Sequence, residues 1–199
     1  MVITDPDLIK GRDPVSVCRA AVRGGATMIQ VRWKDGNPAD VVQLARALVD
    51  ALPVPILVND RADIALAAGA AGAHLGWEDV PLAPLRPHLP AGFLLGISVG
   101  SADEAARAGS LPADYWSVGP CFATPTKPDA GSALGPDGFA GLARLAPESM
   151  PVIGIGGISA ANAAAIIAAG AAGVAVIGAV MSARDPESAA RAVAVAVRA

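Results

Sequence analysis

The chain has 199 residues, 53% hydrophobic but only 4% aromatic, so a large core must be built mainly from Ala, Val, Leu and Ile. A formal net charge of −3 argues against a nucleic-acid surface. The two cysteines, Cys18 and Cys121, form no spaced motif and read as free thiols of a reducing, cytoplasmic compartment, and the opening MVITDPD lacks the basic and apolar regions of a signal peptide.

In chain order, a first strand is predicted at 2–4, followed by Asp5-Pro6-Asp7. A helical run then ends at Gly24-Gly25-Ala26, and a second strand is predicted over 27–33. Its end is charged: Met28-Ile29-Gln30-Val31-Arg32-Trp33-Lys34. Alternation puts Gln30, Arg32 and Lys34 on one face and Ile29, Val31 and Trp33 on the other, where they can pack on helices. Two unpaired cations on one face call for an anion. Further strands are predicted at 56–59, 73–75, 94–98, 115–118, 152–155 and 174–177, with a closing helix over 185–198 that has Pro186 in its first turn.

The same phrase recurs along the chain: an Ala-rich helical run, a Gly, a small residue, then an apolar strand. One supersecondary unit repeated about eight times predicts a parallel sheet of βα units, a single-domain (β/α)8 TIM barrel spanning 1–199. An open doubly wound sheet would carry a Gly-rich turn after its first strand, which Thr4-Asp5-Pro6-Asp7 is not. The stretch 149–183 has no charged residue, yet Gly154, Gly156, Gly157, Gly170 and Gly173 divide it, so strand, helix, strand is expected rather than a membrane span.

Barrel chemistry gathers at the C-terminal ends of the strands. There the sequence offers Gln30, Arg32 and Lys34; Asn59, Asp60 and Arg61; Trp77, Glu78 and Asp79; Ser98; and a long loop with Thr124-Pro125-Thr126-Lys127. Gly156-Gly157, with Ser159 as expected helix cap, and the Gly178 turn suit a phosphate bound by backbone N–H groups. Two carboxylates near phosphates, Asp60 and Asp79, suit Mg²⁺. Asp63 is expected to support Arg61, His74 to be hydrogen-bonded in the core, His88 to lie at the surface, and Cys121 to pack. Trp77 and Phe122 are candidates to wall a ring-shaped ligand. Asp114 falls at the opposite end of the barrel. This inventory has no strong general base or nucleophile pair. It suits departure of a diphosphate better than proton abstraction.

The motifs Q-V-R-W-K, N-D-R-x-D, H-L-G-x-x-D, G-I-S, G-P-x-F-x-T-x-T-K, I-G-G-I and V-A-V-I-G, in that order between Thr4 and about Val180, resemble the thiamine-phosphate synthase family. The resemblance implies joining of a hydroxymethylpyrimidine diphosphate to a thiazole phosphate, with Mg²⁺ and release of diphosphate. It assigns the pyrimidine diphosphate to Gln30, Val31, Arg32, Trp33, Lys34, Asn59, Ser98 and Lys127. It assigns Mg²⁺ to Asp60 and Asp79. The thiazole phosphate falls to Thr124, Pro125, Thr126, Gly157, Ile177 and Gly178. Arg32, Lys34, Ser98 and Lys127 are the implied catalytic set. Trp77 and Gly178 depart from the family pattern, where Gln and Ser are common. The partners implied are small-molecule substrates, with no nucleic acid and no membrane; an oligomer is compatible but no feature specifies one. A thiazole tautomerase on the same barrel, or a non-catalytic phosphate-binding barrel, are the competing readings. The intact N-D and T-x-T-K favour the synthase.

Overall fold

The computed structural model describes residues 1–124 and 131–198. Its strands are β1 (Val2–Ile3), β2 (Ile29–Val31), β3 (Ile56–Asn59), β4 (Gly72–Leu75), β5 (Leu94–Val99), β6 (Tyr115–Val118), β7 (Val152–Ile155) and β8 (Gly173–Ala175). They form one sheet in sequence order, every neighbouring pair parallel. A bridge between Val2 and Val176 joins the end of β8 to β1, with the Ile3 N–H donating to the Val176 carbonyl at 2.9 Å, and the sheet becomes a barrel.

The helices are α1 (Pro14–Arg23), α2 (Pro38–Ala51), α3 (Ala62–Ala68), α4 (Leu82–Leu85), α5 (Ala102–Ala108), α6 (Gly135–Ala143), α7 (Ala163–Ala168), α8 (Gly178–Met181) and α9 (Pro186–Arg198). Among the described residues, no helix is long and apolar enough to cross a membrane. The starts follow local chemistry: Asp13 accepts from the Ser16 N–H at 2.9 Å before Pro14 opens α1, and Ser101 does the same for Glu104 in α5. The Ala-run-then-Gly phrase ends α3 in a left-handed cap at Gly69 (φ +70°), but at Gly109 the backbone stays right-handed.

Alternation along the strands sorts the side chains. Ile29, Val31, Ile56, Val58, Ala73 and Leu75 join helix residues such as Ala45, Leu48 and Ile64 in the main core. Ile3, Gln30, His74, Tyr115, Ser117, Ile153 and Ala175 face the barrel interior. Fully burying a Leu or Ile here contributes roughly 1.5–3 kcal/mol, and the outward set supplies most such side chains. The seam between the first and last units is stapled twice. Arg23 Nε reaches Glu187 of α9 at 2.8 Å. Arg12 donates to the carbonyls of Ile9 (2.9 Å), Ala183 (2.7 Å) and Met181, the last two at the C-terminal end of α8.

Three expectations need correction. The second strand covers 29–31 rather than 27–33, so Trp33 and Lys34 lie in the turn that follows, closed by the Gly36 N–H on the Trp33 carbonyl. Trp33 does not pack on a helix; it is 37% exposed, with its ring against Gly36. The strand expected at 174–177 instead covers Gly173–Ala175, since Ile177 already begins the turn into the short helix α8.

Candidate active site

One large cavity, about 1060 Å³, opens among the loops that follow the strands. The basic wall comes from β2. Gln30, Arg32 and Lys34 all line the cavity, although only Gln30 is still in the strand. Thr4 explains how. Its buried hydroxyl accepts the Arg32 N–H at 2.9 Å and donates to the Arg32 carbonyl at 3.1 Å, so a side chain continues the β1–β2 ladder one residue further. Arg32 is not unpaired as the sequence suggested: its Nη1 lies 3.4 Å from Asp5 Oδ2, with both side chains largely buried. Lys34 is exposed at the rim. Val31 does not face the cavity; it is 1% exposed in the core behind the strand.

The acidic wall lies next to it. Asn59 closes β3 and Asp60 follows with φ +62°. The Arg61 N–H donates to the Asn59 carbonyl at 2.8 Å across Asp60, a three-residue turn whose positive-φ form is rare and strained. The Asp60 N–H donates to the His74 carbonyl at 2.8 Å, which fixes this turn to β4. Asp79 also lines the cavity, and its Oδ2 accepts the Gly76 N–H at 2.6 Å. One carboxylate oxygen is thereby held by the loop, and among the described residues no hydrogen bond uses the other, Oδ1. Mg²⁺ binds one or two carboxylates and completes its shell with phosphate oxygens and water. Asp60 and Asp79 fit that demand. Among the described residues no group of three or more His, Cys, Asp or Glu side chains gathers for a metal, so a protein-only cage is not what these residues build. Asp63 faces away, forked on Arg61 at 2.8 and 2.5 Å, and its carboxyl is held below the usual range by that guanidinium.

The backbone wall comes from β7 and β8. Gly156 (φ +92°) and Gly157 (φ +61°) both require glycine, because a Cβ on Gly157 would sit 2.5 Å from the Ala123 carbonyl oxygen. The loop after β6 is stitched to this turn: the Cys121 N–H donates to the Ile155 carbonyl at 2.7 Å and the Phe122 N–H to Gly156 at 3.0 Å. That carries Thr124 to the cavity wall. Pro125, Thr126 and Lys127 lie outside the described residues. Ile177 and Gly178 line the opposite side of the same wall, where α8 starts. Among the described residues, no hydrogen bond uses the N–H of Gly157, Ile158, Gly178 or Ala179. Ser159 does not cap α7. Its hydroxyl accepts from Ala161 within the preceding turn, at 3.3 Å, and α7 begins only at Ala163.

The floor is polar. His74, 6% exposed, bonds Tyr115 Oη through Nδ1 at 2.9 Å and Ser98 Oγ through Nε2 at 3.0 Å. Burial pushes the Tyr115 hydroxyl well above its usual pKa, with the Gln30 side chain partly offsetting this. Cys121, also near the site, is a packing residue: it is fully buried, and burial pushes its thiol up to about 11. Of the two candidate ring walls, Trp77 lines the cavity and carries the Arg107 guanidinium 4.2 Å over its ring. Phe122 instead packs against Gly157.

Several functional neighbours escaped sequence reading. Asp5 and Thr4, just past the end of β1, act on Arg32. Glu104 lines the cavity while its Oε2 holds the Gly100 N–H at 2.6 Å. Asn162 brackets the glycine turn, accepting from the Ser159 N–H at 2.8 Å and donating to the Gly157 carbonyl at 3.0 Å. Tyr115 and Ser117 had a legible signal, since period-two alternation in β6 places them on one face, and both line the interior.

Comparison with known proteins points to one family. The family model described as thiamine monophosphate synthase matches residues 1–180. The chain is 46% identical over 194 residues to thiamine-phosphate synthase of Roseiflexus sp. (strain RS-1), covering 96% of this chain and 81% of that protein. It is 43% identical over 199 residues to the enzyme of that name from Xanthobacter autotrophicus, covering 98% and 93%. Among solved structures, thiamine phosphate pyrophosphorylase from Pyrococcus furiosus superposes with a TM-score of 0.88 at 34% identity, covering 99% of this chain and 94% of that one. Orotidine 5'-phosphate decarboxylase from Pyrococcus horikoshii shares the fold alone, with a TM-score of 0.74 at 17% identity.

Proposed function

The chain belongs to the thiamine monophosphate synthase family, a family of transferases, and from that membership we propose how its rim performs the reaction. The substrates are a hydroxymethylpyrimidine diphosphate and a thiazole phosphate, and the whole chain, 1–199, works as one barrel domain in the cytoplasm. The observation that carries the reading is convergence. Arg32 and Lys34, Asp60 and Asp79, and the Gly157 and Gly178 turns all line one cavity.

Each wall has its task. Arg32 and Lys34, with Lys127, bind the diphosphate and stabilise the negative charge that grows as it leaves. Asp5 holds the Arg32 guanidinium in place until the diphosphate offers a stronger partner. Gln30, Asn59 and Ser98 bind the pyrimidine part of the same substrate. Val31 supports that wall from the core behind the strand, and Trp33 lies in the exposed turn beside it. Thr124, Pro125 and Thr126, the glycine turn at Gly157, and Ile177 with Gly178 hold the phosphate of the thiazole. Asp60 and Asp79 would hold Mg²⁺, which neutralises charge on the diphosphate oxygens.

In the bond exchange, the carbon–oxygen bond to the diphosphate breaks and its electron pair leaves with the diphosphate. The electron-rich aminopyrimidine carries the resulting cation. The thiazole nitrogen then donates its lone pair to that carbon. This nitrogen bears no proton, so none has to be removed, in keeping with a rim lacking a strong base. Holding both partners in line supplies the remaining advantage.

The test is incubation of the purified protein with both substrates and Mg²⁺. Diphosphate and thiamine phosphate are expected in equal amounts, and neither is expected when the metal is chelated. Aromatised thiazole formed without the pyrimidine would point to a tautomerase instead. Binding of either substrate without turnover would leave a non-catalytic barrel.

A further inference from the structure

We infer that Tyr115 and His74 form a hydrogen-bond chain of fixed direction, which leaves the Ser98 hydroxyl as a donor toward the cavity. The chain crosses the barrel floor from β6 through β4 to β5: Tyr115 Oη to His74 Nδ1 at 2.9 Å, and His74 Nε2 to Ser98 Oγ at 3.0 Å. Gly96 makes room for it. A Cβ there would lie 2.4 Å from His74 Nδ1 and 2.2 Å from the Tyr115 ring.

Its direction follows from accounting. Tyr115 is 8% exposed, and burial keeps its hydroxyl protonated. A buried O–H without an acceptor costs about 1–3 kcal/mol. Among the described residues, His74 Nδ1 is the acceptor within hydrogen-bond distance of that hydroxyl. Tyr115 therefore donates to Nδ1. A neutral imidazole has one donor and one acceptor nitrogen, so the His74 proton sits on Nε2. Nε2 donates to Ser98 Oγ, and the serine keeps its own proton for another acceptor. Ser98 lines the cavity, so that acceptor comes from a ligand.

This rests on the reading of Ser98 and Gln30 as contacts of the pyrimidine diphosphate. In that reading, Ser98 recognises a lone pair on this substrate, and His74 and Tyr115 are positioning residues that fix which way the serine points.

The experiment has two arms. In the first, ¹⁵N-histidine-labelled protein at pH 8 is read by long-range proton–nitrogen correlation, with His88→Gln assigning the exposed histidine. His74 is expected as the Nε2–H tautomer. Ser98→Ala should keep that tautomer and Tyr115→Phe should release it. A His74 with its proton on Nδ1, or on both nitrogens, overturns the chain, and the unsubstituted protein alone is enough to decide this. In the second arm, Tyr115→Phe is expected to raise the KM for the pyrimidine diphosphate about tenfold while the KM for the thiazole phosphate stays put. Equal change in both, or none, overturns the positioning role. Absence of turnover by the unsubstituted enzyme would strike the functional reading alone, because the tautomer is measured without substrate.

Discussion

Asp60 shows what this site demands of a single residue. With φ +62° it occupies backbone territory that glycine holds without strain, and a strained position at a candidate ligand is retained for what its side chain does. Asp60→Gly should therefore separate stability from activity. The variant is expected to gain up to about 1 kcal/mol in urea unfolding and to lose at least about a hundredfold in diphosphate release. Near-normal turnover at saturating Mg²⁺ would remove Asp60 from the site. At this scale the sequence was informative where charged residues follow the predicted strands. Gln30, Arg32 and Lys34 do share a face, and Asp60 and Asp79 do reach one cavity. It was silent where the role lies in a contact. Nothing local to Asp5 points 27 residues ahead to Arg32. Likewise, nothing in Asn162 announces that its amide will reach back to Gly157.

The elements were legible in kind and less so in extent. The second strand was drawn too long because alternation persists beyond the last ladder bond. Thr4 supplies that persistence through its hydroxyl, and a tertiary contact of this sort has no periodic signature. The four-residue helix α8 was missed because a single turn is too short to show a helical period. The glycine turn after β7 was anticipated, as an anion cradle or as a tight turn. The structure adds a packing reason, since the loop after β6 lies against it. Gly157→Ala is accordingly expected to lose roughly 2 kcal/mol or more of stability and to raise the KM for the thiazole phosphate. Gly141→Ala, within α6 where a Cβ would meet nothing within 4 Å, should instead gain about 0.5–1 kcal/mol with kinetics unchanged. Thermal unfolding and initial rates on both variants check the pair. A silent Gly157→Ala would mean that the turn neither packs nor binds as described.

At the scale of the molecule, the repeat carried the fold. Eight βα units with interrupted apolar runs leave few arrangements other than a parallel barrel, and the strands pair in chain order as that repeat requires. What the repeat does not encode is closure. The seam depends on Val2 meeting Val176, and on Arg12 reaching carbonyls at the far end of the chain. Closure matters to the chemistry because it brings the β2 cations, the β3 and β4 carboxylates and the β7 and β8 backbone around one opening. Crystals soaked with diphosphate, Mg²⁺ and thiazole phosphate test that arrangement most directly. Diphosphate is expected against Arg32 and Lys34 with the metal between it and Asp60 and Asp79, and the thiazole phosphate at the Gly157 and Gly178 turns. Either anion bound at the N-terminal end of the barrel, near Asp114, or both competing for one wall, would contradict it.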